Sequence, residues 1–83
     1  MRIEIVTPDK ELYSGEIKSA KFPGALGSFG VLNKHAPLIT TLLPGIIEIT
    51  DNRSLKQSFK IKGGVVEVLN NKVTLLAEGA TVV

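Results

Sequence analysis

The chain has 83 residues, enough for one domain and no more. It contains no cysteine and only one histidine, which excludes a disulfide framework and a zinc cluster as sources of stability. The net charge is only +2 although 43% of the residues are hydrophobic, a high share for a chain with so small an interior. Part of the apolar surface is therefore expected to face another protein.

No stretch of the sequence predicts a membrane helix or an export signal. The longest apolar candidate, LLPGII at 42–47, is interrupted by Pro44 and Gly45 and falls far short of the ~18 apolar residues that a membrane helix needs. The N-terminal MRIEIVTPDKEL carries charges too early and too often for the apolar region of a signal peptide. The sequence thus predicts a soluble protein without an export signal, and the lack of cysteine fits a reducing compartment.

Apolar and polar residues alternate along nearly the whole chain, beginning at Ile3 and Ile5, which is typical of half-buried strands. No segment repeats its apolar residues every 3.6 positions, as an amphipathic helix would. We predict an all-β sandwich or barrel of about ten short, mostly antiparallel strands. The predicted strands are 2–6, 15–22, 28–32, 38–42, 46–50, 56–62, 65–69 and 73–77, with 11–13 and 80–83 as two short additions.

Three local features refine this prediction. In 15–22 the apolar phase slips near Lys18-Ser19, where a β-bulge would restore a single apolar face. Asn70-Asn71 joins two β-rich runs and predicts a two-residue hairpin, because asparagine tolerates positive φ. Alternation also assigns a set of residues to the core. These are Ile3, Ile5, Ile17, Ile49, Phe59, Ile61, Val66, Val68, Val73 and Leu75.

The last hairpin is apolar on its outer face as well, at Val65, Leu69 and Leu76. One interpretation is a central strand pair buried on both faces, which a chain of this size can hardly provide. The other is an outer surface covered by a partner subunit. The pattern alone favours neither interpretation.

Gly24, Gly27 and Gly30 precede the only histidine, His35, in the stretch PGALGSFGVLNKHAPL. Their spacing matches neither of the common phosphate-binding motifs, and no helix start follows them. We interpret the glycines as positive-φ or close-approach positions in a winding loop between strands. His35 has no nucleophile or orienting acid in a suitable pattern, so it is expected to bond to nearby backbone, and we predict no catalytic, cofactor or metal site.

A small barrel that binds single-stranded nucleic acid is the alternative function. Such proteins stack bases on aromatic side chains, and this chain has four aromatic residues, two of which the alternation assigns to the core. Lys56, Lys60 and Lys62 can form a basic stripe, but a charged edge that discourages strand pairing is the commoner explanation.

Ordered turn residues give the sequence a specific resemblance to a known family. The stretch from Val6 to Ile49 resembles the N-terminal half of the ε subunit of bacterial F-type ATP synthase, called δ in mitochondria, and 62–80 resembles the segment that follows in the family. The resemblance covers nearly the whole chain. The matching residues are Val6-Thr7-Pro8-Asp9, Tyr13-Ser14-Gly15, Pro23-Gly24, Gly27, Gly30-Val31-Leu32, His35-Ala36-Pro37-Leu38, Thr40 and Pro44-Gly45.

The resemblance implies a flattened, ten-stranded β-sandwich and a function without catalysis or cofactor. It implies a rotor subunit in the central stalk, bound to γ and to the ring of c subunits, that couples proton-driven rotation to ATP synthesis. Such a protein would be peripheral, on the cytoplasmic face of the bacterial plasma membrane, without membrane insertion, nucleic acid or self-association. Family members usually continue into a two-helix domain, which we expect residues 1–83 to lack.

Residue by residue, the resemblance implies that Gly27, Ser28 and Phe29 lie on a loop facing the c ring. It also implies that Thr7, His35 and Thr40 lie near γ, while the outer residues Val65, Leu69 and Leu76 are γ-contact candidates from pattern alone. This sequence departs from the family at Ser28, often acidic in relatives. It departs again at Asn33-Lys34, where relatives have Pro-Gly, so Lys34 or backbone groups are expected to replace a carboxylate at the c ring.

Overall fold

A computed structural model describes all residues, 1–83, and contains nine strands and no helix. The all-β architecture is confirmed. The strands are β1 (Arg2–Val6), β2 (Glu11–Gly24), β3 (Gly27–Leu32), β4 (Leu38–Leu42), β5 (Gly45–Asp51), β6 (Lys56–Ile61), β7 (Gly63–Leu69), β8 (Lys72–Glu78) and β9 (Thr81–Val82).

The strand pairing closes on itself. Neighbouring strands pair in the order β1–β8–β7–β4–β2, and β2 returns to β1, so these five strands form a ring. The far half of β2 pairs with β3 on one side and β5 on the other, and β6 and β9 follow β5. All pairs are antiparallel except β1–β8. Closure leaves few free strand edges, which suits a domain of this size.

Both local irregularities predicted from the sequence are confirmed. The register between β2 and β5 shifts between Ile17 and Ser19, and this bulge turns Ile17, Ala20 and Phe22 into the interior together. Asn70 and Asn71 have φ values of 51° and 61°, the left-handed conformation that a two-residue hairpin of this type requires.

The interior is one cluster of 17 buried apolar residues, with no buried polar side chain. All ten residues assigned to the core by alternation are buried, so that prediction is confirmed. Phe22 and Phe59 are the largest of the fully buried side chains. Tyr13 is partly buried and packs edge-on against Phe59, with ring centroids 5.8 Å apart.

Two predicted connections differ from the structure. The expected break at Ser14 is absent, because Ser14 and Gly15 pair with Glu4 and Ile3 and make 11–24 one long strand. The winding loop expected around Gly24 and Gly27 is also wrong, although the close approach at Gly24 and the positive φ at Gly27 are confirmed. These two glycines face each other across a tight hairpin whose turn is Ala25-Leu26 alone.

Candidate partner-binding surfaces

Most of the candidate residues line two grooves. The first, called here the hairpin groove, has a volume of about 400 Å³ and lies where the β2–β3 hairpin meets the start of β4. Strands β3 and β4 do not pair with each other, which leaves this groove between them. It is lined by Gly24, Ala25, Leu26, Gly27, Ser28, Phe29, Gly30, His35, Leu38 and Thr40.

Two glycines shape the hairpin beside this groove. A Cβ on Gly24 would lie 2.7 Å from the carbonyl oxygen of Gly27 and 2.8 Å from the Phe29 ring, so only glycine lets the two strands approach there. Gly27 has a φ of 124°, which side chains rarely adopt. The turn between them holds Leu26 fully in solvent, with a relative exposure of 104%, so the hairpin ends in an apolar tip.

His35 is fixed by the backbone around it. Its N–H donates to the carbonyl oxygen of Leu32 at 3.2 Å, and its ring Nδ1 lies 2.7 Å from the carbonyl oxygen of Ala36. Because a carbonyl only accepts, the hydrogen of this bond lies on Nδ1. The expectation that His35 bonds to nearby backbone is confirmed. No group of three or more His, Asp or Glu side chains is arranged to hold a metal ion.

Phe29 provides the apolar side of the hairpin groove. Its ring packs against buried Phe22, with centroids 5.5 Å apart and planes tilted by 34°. The side chain is therefore half-buried and held in place before any partner binds. The hairpin groove can hold an apolar side chain and accept a hydrogen bond, but it contains no set of groups for catalysis.

The second groove, called here the sheet groove, has a volume of about 700 Å³ and crosses the outer ends of β1, β8, β7 and β4. Val6, Leu76, Val65 and Thr41 are partners in consecutive strand pairs, so they form one row across the sheet. The groove is lined by Val6, Thr7, Pro8, Thr41, Leu42, Gly64, Val65, Leu76, Ala77 and Glu78.

Charged residues border the apolar row of the sheet groove on the β1 side. The Lys72 ammonium lies 2.7 Å from a Glu4 carboxylate oxygen, and this hydrogen bond and charge lower the pKa of Glu4 below its ordinary value. Arg2 and Glu16 form a looser pair, with 3.8 Å between their charged atoms. The outer face of the ring of strands is thus charged over β1, whereas on β7 the exposed residues Val65 and Leu69 flank an outward-facing Glu67.

The structure groups the candidate residues differently from the expectation. Gly27, Ser28 and Phe29, assigned to the c ring, lie on the same groove as His35 and Thr40, assigned to γ. Thr7 lines the sheet groove together with Val65 and Leu76. Leu69 belongs to neither groove and lies in a small depression beside Pro37 and Ile39.

Val65, Leu69 and Leu76 are exposed, at 37%, 46% and 56%. The interpretation of a strand pair buried on both faces is therefore wrong. Val65 and Leu76 form an open apolar patch, and Leu69 is exposed apart from them, beyond Glu67 on the same strand. Sequence reasoning missed Ile39, which is 69% exposed and pairs with outward-facing Glu67. The available signal was strand periodicity: Leu38, Thr40 and Leu42 fall at alternate positions of β4, which leaves Ile39 on the opposite face.

The structure contains no helix long and apolar enough to cross a membrane.

A family model for the β-sandwich domain of the ATP synthase delta/epsilon chain matches residues 1–83. The chain is 48% identical over 80 residues to the ATP synthase epsilon chain of Nitratiruptor sp., covering 96% of this chain and 62% of the relative. It is 46% identical over 81 residues to that of Helicobacter pylori, covering 96% and 64%. The chain thus spans somewhat less than two thirds of the curated relatives that it matches.

Two solved structures share the fold. A chain of the Euglena gracilis mitochondrial ATP synthase assembly of OSCP, F1 and c ring superposes with a TM-score of 0.91 at 22% identity, covering 96% of this chain and 51% of that one. A chain of the Tetrahymena thermophila mitochondrial ATP synthase central stalk and c ring gives 0.83 at 21% identity, covering 98% and 65%. At such identities the likeness concerns the fold alone.

Proposed function

Because the chain belongs to the family of ATP synthase delta/epsilon chains, we propose that it is a non-catalytic subunit of the central stalk of a bacterial F-type ATP synthase. The observation that carries this proposal is the match of all 83 residues to the family's β-sandwich domain. In that role the chain binds γ and the c-subunit ring, rotates with them and links proton-driven rotation to ATP synthesis. It works at the cytoplasmic face of the plasma membrane, as a peripheral part of the complex.

The proposed γ contact is the apolar outer surface that includes the sheet groove. Val65 and Leu76 lie opposite each other there, and Ile39 and Leu69 extend the surface toward the other end of the strands. Apolar side chains exposed side by side favour burial against a protein partner. Thr7 belongs to this surface, although its hydroxyl already bonds to the backbone of Lys10 within its own turn.

The proposed c-ring contact is the tip of the β2–β3 hairpin. Leu26 is fully exposed at the turn, and the residues that follow it, Gly27 and Ser28, are exposed as well. His35 and Thr40 lie deeper in the hairpin groove, where they can contact γ while the tip contacts the ring. Lys34 is exposed in the turn that follows β3 and offers a positive charge for the c-ring contact, because the position that is often acidic in relatives is Ser28 here.

Reconstitution tests the proposal directly. The full chain is mixed with an F1 complex prepared without it and, separately, with the isolated c ring. Binding is detected by co-purification, and Kd is measured by surface plasmon resonance. We expect stoichiometric association with F1 through γ and a gain in coupled ATP synthesis when the assembled enzyme is placed in vesicles. The proposal would be contradicted if neither measurement detected association with F1.

The structure does not favour the alternative, a module that binds single-stranded nucleic acid. Phe22 and Phe59 are fully buried, and Tyr13 and Phe29 are half-buried against them, so no aromatic side chain is fully exposed for stacking on a base. Titration with a labelled oligonucleotide at moderate salt separates the two functions. Salt-sensitive binding tighter than about 1 µM would support the alternative.

A further inference from the structure

One side chain joins two turns that are far apart in the sequence. Asn71, in the β7–β8 turn, reaches the turn that follows β3. Its Oδ1 accepts a hydrogen bond from the backbone N–H of Lys34 at 2.7 Å, and its Nδ2 donates to Oδ1 of Asn33 at 2.8 Å. A single carboxamide thus bonds to both residues of the neighbouring turn.

The turn at Asn33-Lys34 needs such support because its backbone is strained. Lys34 has a φ of 62°, in the left-handed region that a lysine side chain disfavours. One backbone–backbone hydrogen bond spans this turn, from the His35 N–H to the carbonyl oxygen of Leu32. The two bonds from Asn71 are therefore the main tertiary restraint on the turn.

The backbone of Asn71 is itself fixed by its hairpin and by β1. Its backbone lies in the two-residue hairpin, where its φ of 61° is the one that the turn requires. Its carbonyl oxygen accepts a hydrogen bond from the N–H of Arg2 at 3.2 Å, which ties the hairpin to β1. Asn71 is half-buried, and both hydrogen bonds of its carboxamide lie at the surface.

We propose that Asn71 is a positioning residue for the hairpin groove: its carboxamide holds the left-handed turn at Asn33-Lys34 and thereby sets the placement of the His35 imidazole toward the partner. His35 follows the turn directly and lines the groove. A turn held in one conformation before binding loses less conformational entropy when the partner docks. The inference rests on the proposed function, since the partner in question is the γ subunit.

Three variants of the full chain separate positioning from a merely structural role. Asn71→Gly removes the carboxamide but keeps the hairpin, because Asn-Gly is a favoured sequence for this turn. Asn71→Asp keeps the acceptor for the Lys34 N–H, and the Asn33 amide can rotate to donate to the new carboxylate. Lys34→Gly removes the left-handed strain, so the turn no longer needs Asn71.

Two measurements are made on each variant. Amide hydrogen exchange by NMR reports the protection of the Lys34 N–H, and titration with F1 prepared without this chain reports Kd. We expect Asn71→Gly to lower Lys34 protection at least about tenfold and to raise Kd about tenfold, with the thermal midpoint nearly unchanged. Asn71→Asp should restore both values, and Asn71→Gly should change Kd less in the Lys34→Gly background than in the parent.

The two failures are distinguishable. If the parent binds F1 and Asn71→Gly binds it equally well, or keeps Lys34 protection, the positioning role is overturned and the proposed function stands. If Asn71→Asp fails to restore binding while the hairpin stays folded, the role is likewise overturned. If the parent does not bind F1 at all, the proposed function fails, and the claim that Asn71 serves γ binding fails with it.

Discussion

The outer faces of β7–β8 and of β5–β6 follow the same alternation yet carry different chemistry. On β7–β8, Val65 lies opposite Leu76, and both are open to solvent. On β5–β6, Glu48 lies opposite Ser58 and comes within 3.9 Å of the Lys56 ammonium. Both hairpins bury their inner residues almost completely. The difference therefore concerns the surface and not the core.

This contrast explains the high apolar content of a small chain. The core accounts for the inner positions, and much of the surplus lies on the outer face of β4, β7 and β8 and on loop positions such as Leu26 and Leu43. The outer face of β5–β6 exposes one apolar residue, Ile46, which pairs with Lys60. Exposed apolar side chains add little to the free energy of unfolding, whereas a binding partner can bury them. We therefore interpret the face of β7–β8 as the one that binds and the face of β5–β6 as the one that stays in water.

The largest expected effect compares two neighbouring leucines on β8. Leu75 is fully buried, so Leu75→Ala should lower the free energy of unfolding by about 3 kcal/mol through lost contacts and a residual cavity. Leu76→Ala is the matched control, since Leu76 is 56% exposed, and it should cost less than about 1 kcal/mol. Urea denaturation measures both. Equal losses would contradict the assignment of inner and outer faces.

The core was predictable because strand periodicity alone specifies it. Every second residue of a half-buried strand points inward, so Val66 and Val68 could be assigned without knowing which strands pair. The bulge at Lys18-Ser19 followed from the same rule, as the slip that keeps apolar residues on one side. The ring closure of β2 onto β4, through Gly24 and Leu42, has no such local signal.

The grooves were less predictable because they depend on distant segments. The hairpin groove brings Phe29 and His35 together only because β3 and β4 fail to pair. The left-handed lysine at 34 is a clearer case, since Asn70 and Asn71 are typical turn residues while lysine is not. The bond from Asn71 that supports it comes from a residue 37 positions away. Residue types alone contain no sign of that contact.

The second prediction tests which outer face binds. Leu76→Lys places a charge in the apolar row of the sheet groove, where a bound partner cannot solvate it. We expect Kd for F1 to rise at least about 30-fold, which corresponds to ~2 kcal/mol. Lys60→Glu changes an exposed residue on the opposite hairpin and should alter Kd less than about threefold. Circular dichroism checks that both variants fold.

The reverse result would exchange the roles of the two faces. If Leu76→Lys folds and binds F1 like the parent while Lys60→Glu loses binding, the partner lies on β5–β6. The apolar row would then be a surface without a γ contact.

The smallest expected effect is a pH dependence of stability at Asp51, at the turn of the β5–β6 hairpin. The Asp51 carboxylate accepts N–H bonds from Leu55 at 3.0 Å and from Arg53 at 2.8 Å. These bonds, the one from Leu55 foremost, lower the pKa of Asp51 below its ordinary value of 3.8. A lowered pKa in the folded state means that the ionised carboxylate stabilises the fold above pH 3.8. That contribution is lost as the pH falls through the folded-state pKa.

Asp51→Asn tests this sign, because the amide keeps an acceptor for the turn but cannot ionise. We expect the variant to be less stable than the parent at pH 6 and the gap between their urea midpoints to narrow as the pH falls below 3.8. Glu4→Gln is the comparison on the other face. There the pKa of Glu4 is lowered chiefly by the exposed Lys72, so added salt should weaken the contribution of the Glu4 carboxylate to the free energy of unfolding. The Asp51 carboxylate is held mainly by backbone N–H groups, so salt should leave its contribution nearly unchanged. Parallel pH profiles for the parent and Asp51→Asn would show that the turn does not depend on the charge.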